Sequence, residues 1–487
     1  MIHDALFRLI NAEFPFEPTD QQAAAMLALA RFVTSTRRGG AFVLRGYAGT
    51  GKTSLVAALV RALKRTGCPT VLLAPTGRAA KVFSRYAGMA AFTIHKAIYR
   101  QEAFEGEHTR FALGFNKLRG AVFIVDEASM ISGRPAPGSV FGSGCLLDDL
   151  VRYVGEGDGC RLIFVGDTAQ LPPVGEDVSP ALDAEALARF GLRATGVELS
   201  EVVRQAEISG VLWNATRLRR LVGSGAADYP SIRAEGFDDV RLVPGGELIE
   251  ELVGAYGYGG TDETIVVTRS NRRAVIYNNG IRARIFDREG ELTRGDWVMA
   301  VKNNYYWTEQ AAAALPEGER LPFDFVANGD VAEVRRLRNI HEMHGFRFAD
   351  ATLRFPDYDD YELTLRVVLD TLQSEAPALT ADERDRLFEA VAADYAHIRN
   401  RRERMKQLRL DPYYNALQIK YAYAVTCHKA QGGQWSRVFV DQGYLGDAPA
   451  DDAYLRWLYT AFTRTSDRLY LVNWPPAQTE TAPPGQS

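Results

Sequence analysis

Gly46-Tyr47-Ala48-Gly49-Thr50-Gly51-Lys52-Thr53 follows the apolar run Ala41-Phe42-Val43-Leu44 and leads into the helix-forming segment Ser54-Leu55-Val56-Ala57-Ala58-Leu59-Val60. A strand delivers the chain to a glycine-rich turn and a helix leaves it. With few Cβ atoms in the way, the backbone N–H groups of such a turn point inward at a phosphate, and the helix adds the positive end of its dipole. Gly46, Ala48, Gly49, Thr50, Gly51 and Ser54 are the candidate phosphate contacts. Lys52 is placed to neutralise the β- and γ-phosphates, and the Thr53 hydroxyl to ligate magnesium. The expected ligands are ATP and Mg2+. The flanking strand and helix argue against a glycine-rich surface turn that matches by accident.

At 487 residues the chain is too long for one core, and the length suggests about three or four domains. Hydrophobic residues make up 46% and charged residues 24%, as in ordinary soluble globular proteins. No apolar run reaches the roughly 20 residues of a membrane span, and Met1-Ile2-His3-Asp4 has no basic stretch before a hydrophobic one. A cytoplasmic location without a membrane partner is expected. Cys68, Cys145, Cys160 and Cys427 are scattered, with neither disulfide-framework nor zinc-ligand spacing, and read as free thiols. The net charge of −4 argues weakly against bulk electrostatic capture of nucleic acid. Between Arg61 and Arg119, however, Arg and Lys far outnumber Glu102, Glu105 and Glu107. A phosphate-tracking groove explains that one-sidedness better than a solvated helix face.

Upstream, Pro18-Thr19-Asp20-Gln21-Gln22 is an N-cap signal for a helix from Ala23 to Phe32. Gln22 can offer an amide donor and acceptor to an adenine edge. A second buried strand, Val71-Leu72-Leu73-Ala74, runs into Pro75-Thr76-Gly77-Arg78-Ala79-Ala80-Lys81, and in an open α/β sheet that turn lies on the working edge. Thr93-Ile94-His95-Lys96 follows. Alternation on either side of Glu105-Gly106-Glu107 predicts a β-hairpin over residues 99–118. Phe104 and Phe111 flank its tip, either to stack on a base pair or to hold the hairpin together. Ala121-Val122-Phe123-Ile124-Val125 ends in Asp126, a candidate magnesium ligand, and Glu127, a candidate base for the attacking water. Residues 132–144 read as a surface loop. The strand Leu162-Ile163-Phe164-Val165 leads to Gly166-Asp167-Thr168-Ala169-Gln170, where the Gln170 amide can sense a γ-phosphate. Four such strands with helical connections make a parallel sheet.

In this order, Gly46 to Thr53, Ala74 to Lys81, Val125 to Met130 and Gly166 to Gly175 resemble the successive motifs of superfamily 1B helicases of the RecD and Dda type. Val202-Val203-Arg204-Gln205 is similar to the family's fourth motif, Tyr423 to Gly432 to the fifth, and Tyr459-Thr460-Ala461-Phe462-Thr463-Arg464 to the sixth. The resemblance implies an α/β chain of two P-loop, RecA-like parallel-sheet motor lobes. The first lobe would span residues 1–198, and the second 199–285 and 415–473, with strands in Ile265-Val266-Val267-Thr268, Val438-Phe439-Val440 and Leu469-Tyr470-Leu471-Val472. Residues 286–414 would form an inserted small β-barrel and helical arm, and a tail from Trp474 would be disordered.

Within the arm, Thr380-Ala381-Asp382-Glu383 is a capping box, and Leu387, Val391, Tyr395 and Ile398 form a helical stripe. A helix running to Leu410 would be roughly 45 Å long, its stripe packed against a helix near Leu365 to Leu372. The acidic run Asp357-Tyr358-Asp359-Asp360-Tyr361-Glu362 suits solvent or protein better than DNA.

By resemblance, Arg204 and Arg464 reach the γ-phosphate from the second lobe, Arg464 as an arginine finger. Catalysis would thus fall to Lys52, Glu127, Gln170, Arg204 and Arg464. Pro75, Thr76, Thr93, His95, Thr426, His428 and Lys429 would contact single-stranded DNA, and the hairpin would split the duplex. The implied activity is ATP-dependent 5′-to-3′ translocation and unwinding by a monomer at single-strand/duplex junctions, in repair, recombination or replication. Single-stranded-DNA-binding or repair proteins would be its further partners. The rival readings are an RNA helicase of the same superfamily, an ATP-gated binding protein and a phosphotransferase. The Asp126-Glu127 pair speaks against the second, and nothing resembles an acceptor site for the third.

Overall fold

The computed structural model describes residues 2–36, 40–101, 111–136, 139, 141–202, 208–225, 228–316, 318–446 and 449–480. The first lobe contains β1 (Ala41–Gly46), β2 (Thr70–Ala74), β3 (Ala91–Thr93), the pair β4 (Tyr99–Gln101) and β5 (Phe111–Leu113), then β6 (Val122–Val125), β7 (Arg161–Gly166) and β8 (Ala194–Leu199). Its main sheet runs β3-β2-β6-β7-β1-β8 and is parallel throughout. The four strands legible as apolar runs are its inner ones, covered on both faces, which is why they carry uninterrupted Val, Ile, Leu and Phe. The two edges were not legible: β3 is three residues long, and β8 is mostly solvent-touched. The phosphate loop, Thr76, Asp126 and Asp167 follow β1, β2, β6 and β7, so one sheet edge gathers them.

The second lobe starts with β9 (Val240–Val243) and β10 (Thr264–Thr268). The chain then leaves it to close a barrel from β11 (Trp297–Ala300), β12 (Val331–Met343), β13 (Phe346–Phe355), β14 (Tyr361–Val368) and β15 (Leu417–Tyr421). It returns as β16 (Ala424–Thr426), β17 (Trp435–Asp441) and β18 (Thr465–Val472), giving a parallel sheet in the order β16-β10-β17-β18-β9. Barrel and lobe are locked where they join. Asp296, fully buried, takes ion pairs from Arg282 at 2.9 Å and Arg288 at 2.8 Å. The Tyr423 hydroxyl donates to the same carboxylate at 3.0 Å and accepts the Trp297 N–H at 3.1 Å.

Several expectations are corrected here. The barrel's closing strand β15 lies beyond residue 414, inside the stretch assigned to the second lobe. No helix occupies Leu365 to Leu372: Leu363, Leu365 and Val367 are buried and Glu362 and Thr364 exposed, a period of two that makes β14 a strand. The long arm helix is two, Ala381–Asp394 and Arg401–Arg409, because Asn400 caps the second through its Oδ1, accepting from Arg402 and Glu403 N–H. Leu387 and Val391 do pack inward, onto Phe346, Phe348, Val368 and Leu408 on the barrel's flank, but Tyr395 is marginal and Ile398 lies outside that core. The start of the tail is ordered: Trp474 is buried, and Thr479 bridges to Ile232.

Candidate nucleotide and nucleic-acid site

The phosphate loop has the backbone its glycines predict. Gly49 and Gly51 sit at φ 75° and 80°, the left-handed region that side chains avoid. A Cβ on Gly51 would lie 2.5 Å from Gln22 Nε2, and one on Gly46 2.8 Å from the Lys52 side chain. Thr50 Oγ1 donates to the Tyr47 carbonyl at 2.8 Å. Lys52 Nζ, at the N-terminus of helix Lys52–Arg65, donates to the carbonyls of Gly46 and Tyr47. Thr53 is exposed on the first turn of that helix. The loop is thus a preformed cradle that fits a polyphosphate, with a cation folded over its mouth.

Gln22 is not free to read a base in this arrangement. Its Oε1 accepts the Thr19 N–H at 3.0 Å and its Nε2 donates to the Thr50 carbonyl at 3.0 Å, so the amide both completes a capping box and braces the phosphate loop. The residue is 3% exposed.

At the end of β6, the Asp126 carboxylate accepts the Tyr86 hydroxyl, and Glu127 adopts φ 50°, a strained conformation for a non-glycine residue. Burial pushes both carboxyls above the ordinary range; Tyr86 opposes this at Asp126, and Arg464 opposes it at Glu127. Arg464 itself is 2% exposed. Its guanidinium is oriented by the Thr460 and Gly433 carbonyls at 3.2 and 3.1 Å, and its Nη1 stands 3.9 Å from Glu127 Oε1 across the lobe boundary. Gln170 is buried beside this boundary with its Oε1 unpartnered among the described residues. A buried acceptor without a donor suits a site completed by a polar ligand.

The sequence reading missed what holds the lobes together here. Tyr459 donates to Asp167 Oδ2 at 2.5 Å and accepts the Ala48 N–H at 2.9 Å. One hydroxyl therefore joins the sixth motif to the phosphate loop. Thr460 Oγ1 accepts the Leu171 N–H at 2.9 Å, and Gln431 Nε2 donates to the Leu171 carbonyl at 2.7 Å. A tyrosine five places before the expected arginine finger, on the helix Asp452–Phe462 that ends just ahead of that arginine, was the signal available.

The expected strand contacts lie along one edge. Thr76 and Thr93 cap the helices Gly77–Ala87 and Ile94–Ile98. A Cβ on Gly432 of the second lobe would meet Thr76 Oγ1 at 3.2 Å, so the edges of the two lobes are continuous. Pro75, Thr93 and His95 line a cavity of about 360 Å³ whose far wall is Pro322 to Phe325 and Asp357 to Asp359 of the insertion. That roof is anchored on cations. Lys81 Nζ donates to the Pro356 carbonyl at 2.7 Å and lies 3.5 Å from Asp357, Lys96 donates to the Pro322 carbonyl, and Lys429 to Asn328. The acidic run is thus protein-facing at its start. Thr426 is the N-cap of the fifth-motif helix Cys427–Ala430 and His428 lies within it beside Lys429, and burial holds Lys429 down to about 8. Phe111 is a correction: it is 6% exposed, packed on Phe141, Tyr305 and Phe325, and its ring cannot stack on a base. Phe104 and Arg204 lie outside the described residues.

Within the roof, Asp330 accepts the Tyr358 hydroxyl at 3.1 Å and the Ala327 N–H at 2.7 Å, and burial pushes its carboxyl up to about 7. The folded state then binds more protons than the unfolded one between the ordinary carboxylate range and pH 7, so its contribution to stability is lost as pH rises through that window. Thermal unfolding from pH 5 to 8 should show this fall in the native protein and a flatter profile in Asp330→Asn. Equal slopes would exclude the assignment.

Two families match the chain: the AAA domain over residues 18–220 and the UvrD-like helicase C-terminal domain over residues 421–472. The ATP-dependent RecD2 DNA helicase of Deinococcus radiodurans is 24% identical over 437 residues, covering 88% of this chain and 46% of that protein. The chain therefore spans just under half the length of this relative. An uncharacterized protein of Methanocaldococcus jannaschii is 35% identical over 145 residues, 27% of this chain and 11% of that one. The crystal structure of Pif1 helicase from Bacteroides in complex with ADP-AlF3 and ssDNA is 16% identical, with 96% of this chain and 95% of that one covered at a TM-score of 0.45. The two family matches fall on the two lobes that the motifs mark out, and the likeness to the RecD2 helicase runs through both.

Proposed function

We propose that the protein is an ATP-driven motor that translocates 5′ to 3′ on single-stranded DNA and unwinds duplexes. The observation that carries this reading is the placement of Arg464, delivered by the second lobe to within 3.9 Å of Glu127 on the first. Hydrolysis needs positive charge at the transferred phosphoryl group, and a cation supplied from a separate lobe makes chemistry and lobe closure interdependent. Lys52 and the loop N–H groups would hold the triphosphate, Thr53 and Asp126 the magnesium ion, and Glu127 with Gln170 the attacking water. Bound magnesium supplies charge neutralisation on the phosphate oxygens. Changes at the nucleotide reach the strand through Tyr459 and Leu171, which tie the phosphate-sensing loops to the second lobe.

The test is ATP hydrolysis in the presence of matched single strands of DNA and RNA. Stimulation by DNA alone supports the reading. Equal stimulation by RNA would favour an RNA helicase, since backbone contacts do not encode the sugar. No stimulation by either would contradict a nucleic-acid motor.

A further inference from the structure

A cleft of about 1620 Å³ opens between the first lobe and the inserted arm, reached from the expected strand path at His95. That is larger than the roughly 300–1,000 Å³ of small-ligand pockets, and suits a polymer. Its walls carry Arg134 from the first lobe, Lys302 from the barrel and Arg384, Arg402 and Lys406 from the two arm helices. Among the described residues no hydrogen bond or ion pair holds any of these five side-chain cations. Elsewhere on the same insertion, Arg335, Arg347, Arg354 and Arg366 are each paired with a carboxylate. The charge of Lys302 is disfavoured by the cleft walls and then by Arg384 beside it. The cleft lining carries six Lys and Arg residues against Glu309, Asp385 and Glu403, an excess of positive charge in a chain of net charge −4. Phe388 and Tyr414, with ring centroids 6.0 Å apart, add aromatic surface to the arm side. Basic side chains along a groove with interleaved aromatics are what a single strand requires.

We propose that this cleft is a second nucleic-acid site, in which the arm grips the sugar-phosphate backbone of the same single strand beyond the motor edge. The inference rests on the function proposed above. It extends the footprint from the two lobes to helix Arg401–Arg409, which contributes phosphate contacts rather than base recognition. The strand bridges His95 and the arm, so short strands fill the motor edge alone and longer ones fill both.

The experiment is fluorescence anisotropy of labelled oligothymidylates from about 6 to about 30 nucleotides, across a salt series, with the native protein and with Arg402→Glu/Lys406→Glu. The native protein should gain affinity and salt dependence once the strand reaches the arm. The double variant should lose that gain, by about tenfold or more for long strands, with the salt slope lowered by about 2, while short strands bind as in the native protein. Arg402→Lys/Lys406→Arg should restore long-strand binding. Arg384→Glu, on the other arm helix, gives the same reading if the double variant does not fold. Binding of long strands unchanged in both charge-reversed proteins would overturn the second site and leave the motor reading intact. Failure of the native protein to bind any strand would contradict both.

Discussion

Arg464→Ala should lower the maximal rate of ATP hydrolysis by roughly 10³- to 10⁵-fold, the range for arginine fingers, with little change in nucleotide affinity. The side chain approaches Glu127 from the opposite lobe and is held there by two backbone carbonyls, so its charge is preorganised and costs no rearrangement when the transition state forms. Arg464→Lys should recover only part of the rate. A lysine ammonium lacks the planar fork that allows the guanidinium to bond Thr460, Gly433 and a phosphate together. Because Arg464 is buried, thermal unfolding of both variants must accompany the kinetics. A variant folded as the native protein and hydrolysing ATP at the native rate would remove Arg464 from catalysis.

Lys52→Ala should reduce hydrolysis by about 10²- to 10³-fold or more, and here nucleotide binding should weaken as well. The ammonium lies in the cradle and, among the described residues, donates only to the Gly46 and Tyr47 carbonyls, which a triphosphate would replace with stronger, charged acceptors. Single-turnover hydrolysis and equilibrium nucleotide binding separate the two effects. Native rates in Lys52→Ala would exclude this loop as the hydrolytic site.

How much could be read beforehand followed physical rules. Strands covered on both faces, β1, β2, β6, β7, β10, β17 and β18, appear as apolar runs and were legible. The edge strands β8 and β9 and the barrel strand β14 were not: β8 and β9 carry Thr, Glu and Arg, and β14 alternates polar and apolar residues in a pattern that a coarse helical reading absorbed. Motif residues after strand ends were legible because sheet topology brings successive strand termini to one edge. What one side chain does with two partners was not. Gln22 is spent bracing the phosphate loop, Tyr459 links two loops across the lobe boundary, and Phe111 belongs to a shared aromatic core of first lobe and insertion. Each depends on residues hundreds of positions away or on packing that spacing does not encode. The break in the arm helix is the instructive local case: the apolar stripe keeps helical spacing through Ile398, but the Asn400 side chain caps a second helix just beyond it.

The most direct measurement is ATP-dependent strand separation on two duplexes identical except that one carries a 5′ single-stranded DNA tail and the other a 3′ tail, with Lys52→Ala as the inactive control. The account predicts opening of the 5′-tailed duplex alone, and none by the control. Opening of only the 3′-tailed duplex, or of neither, would contradict it.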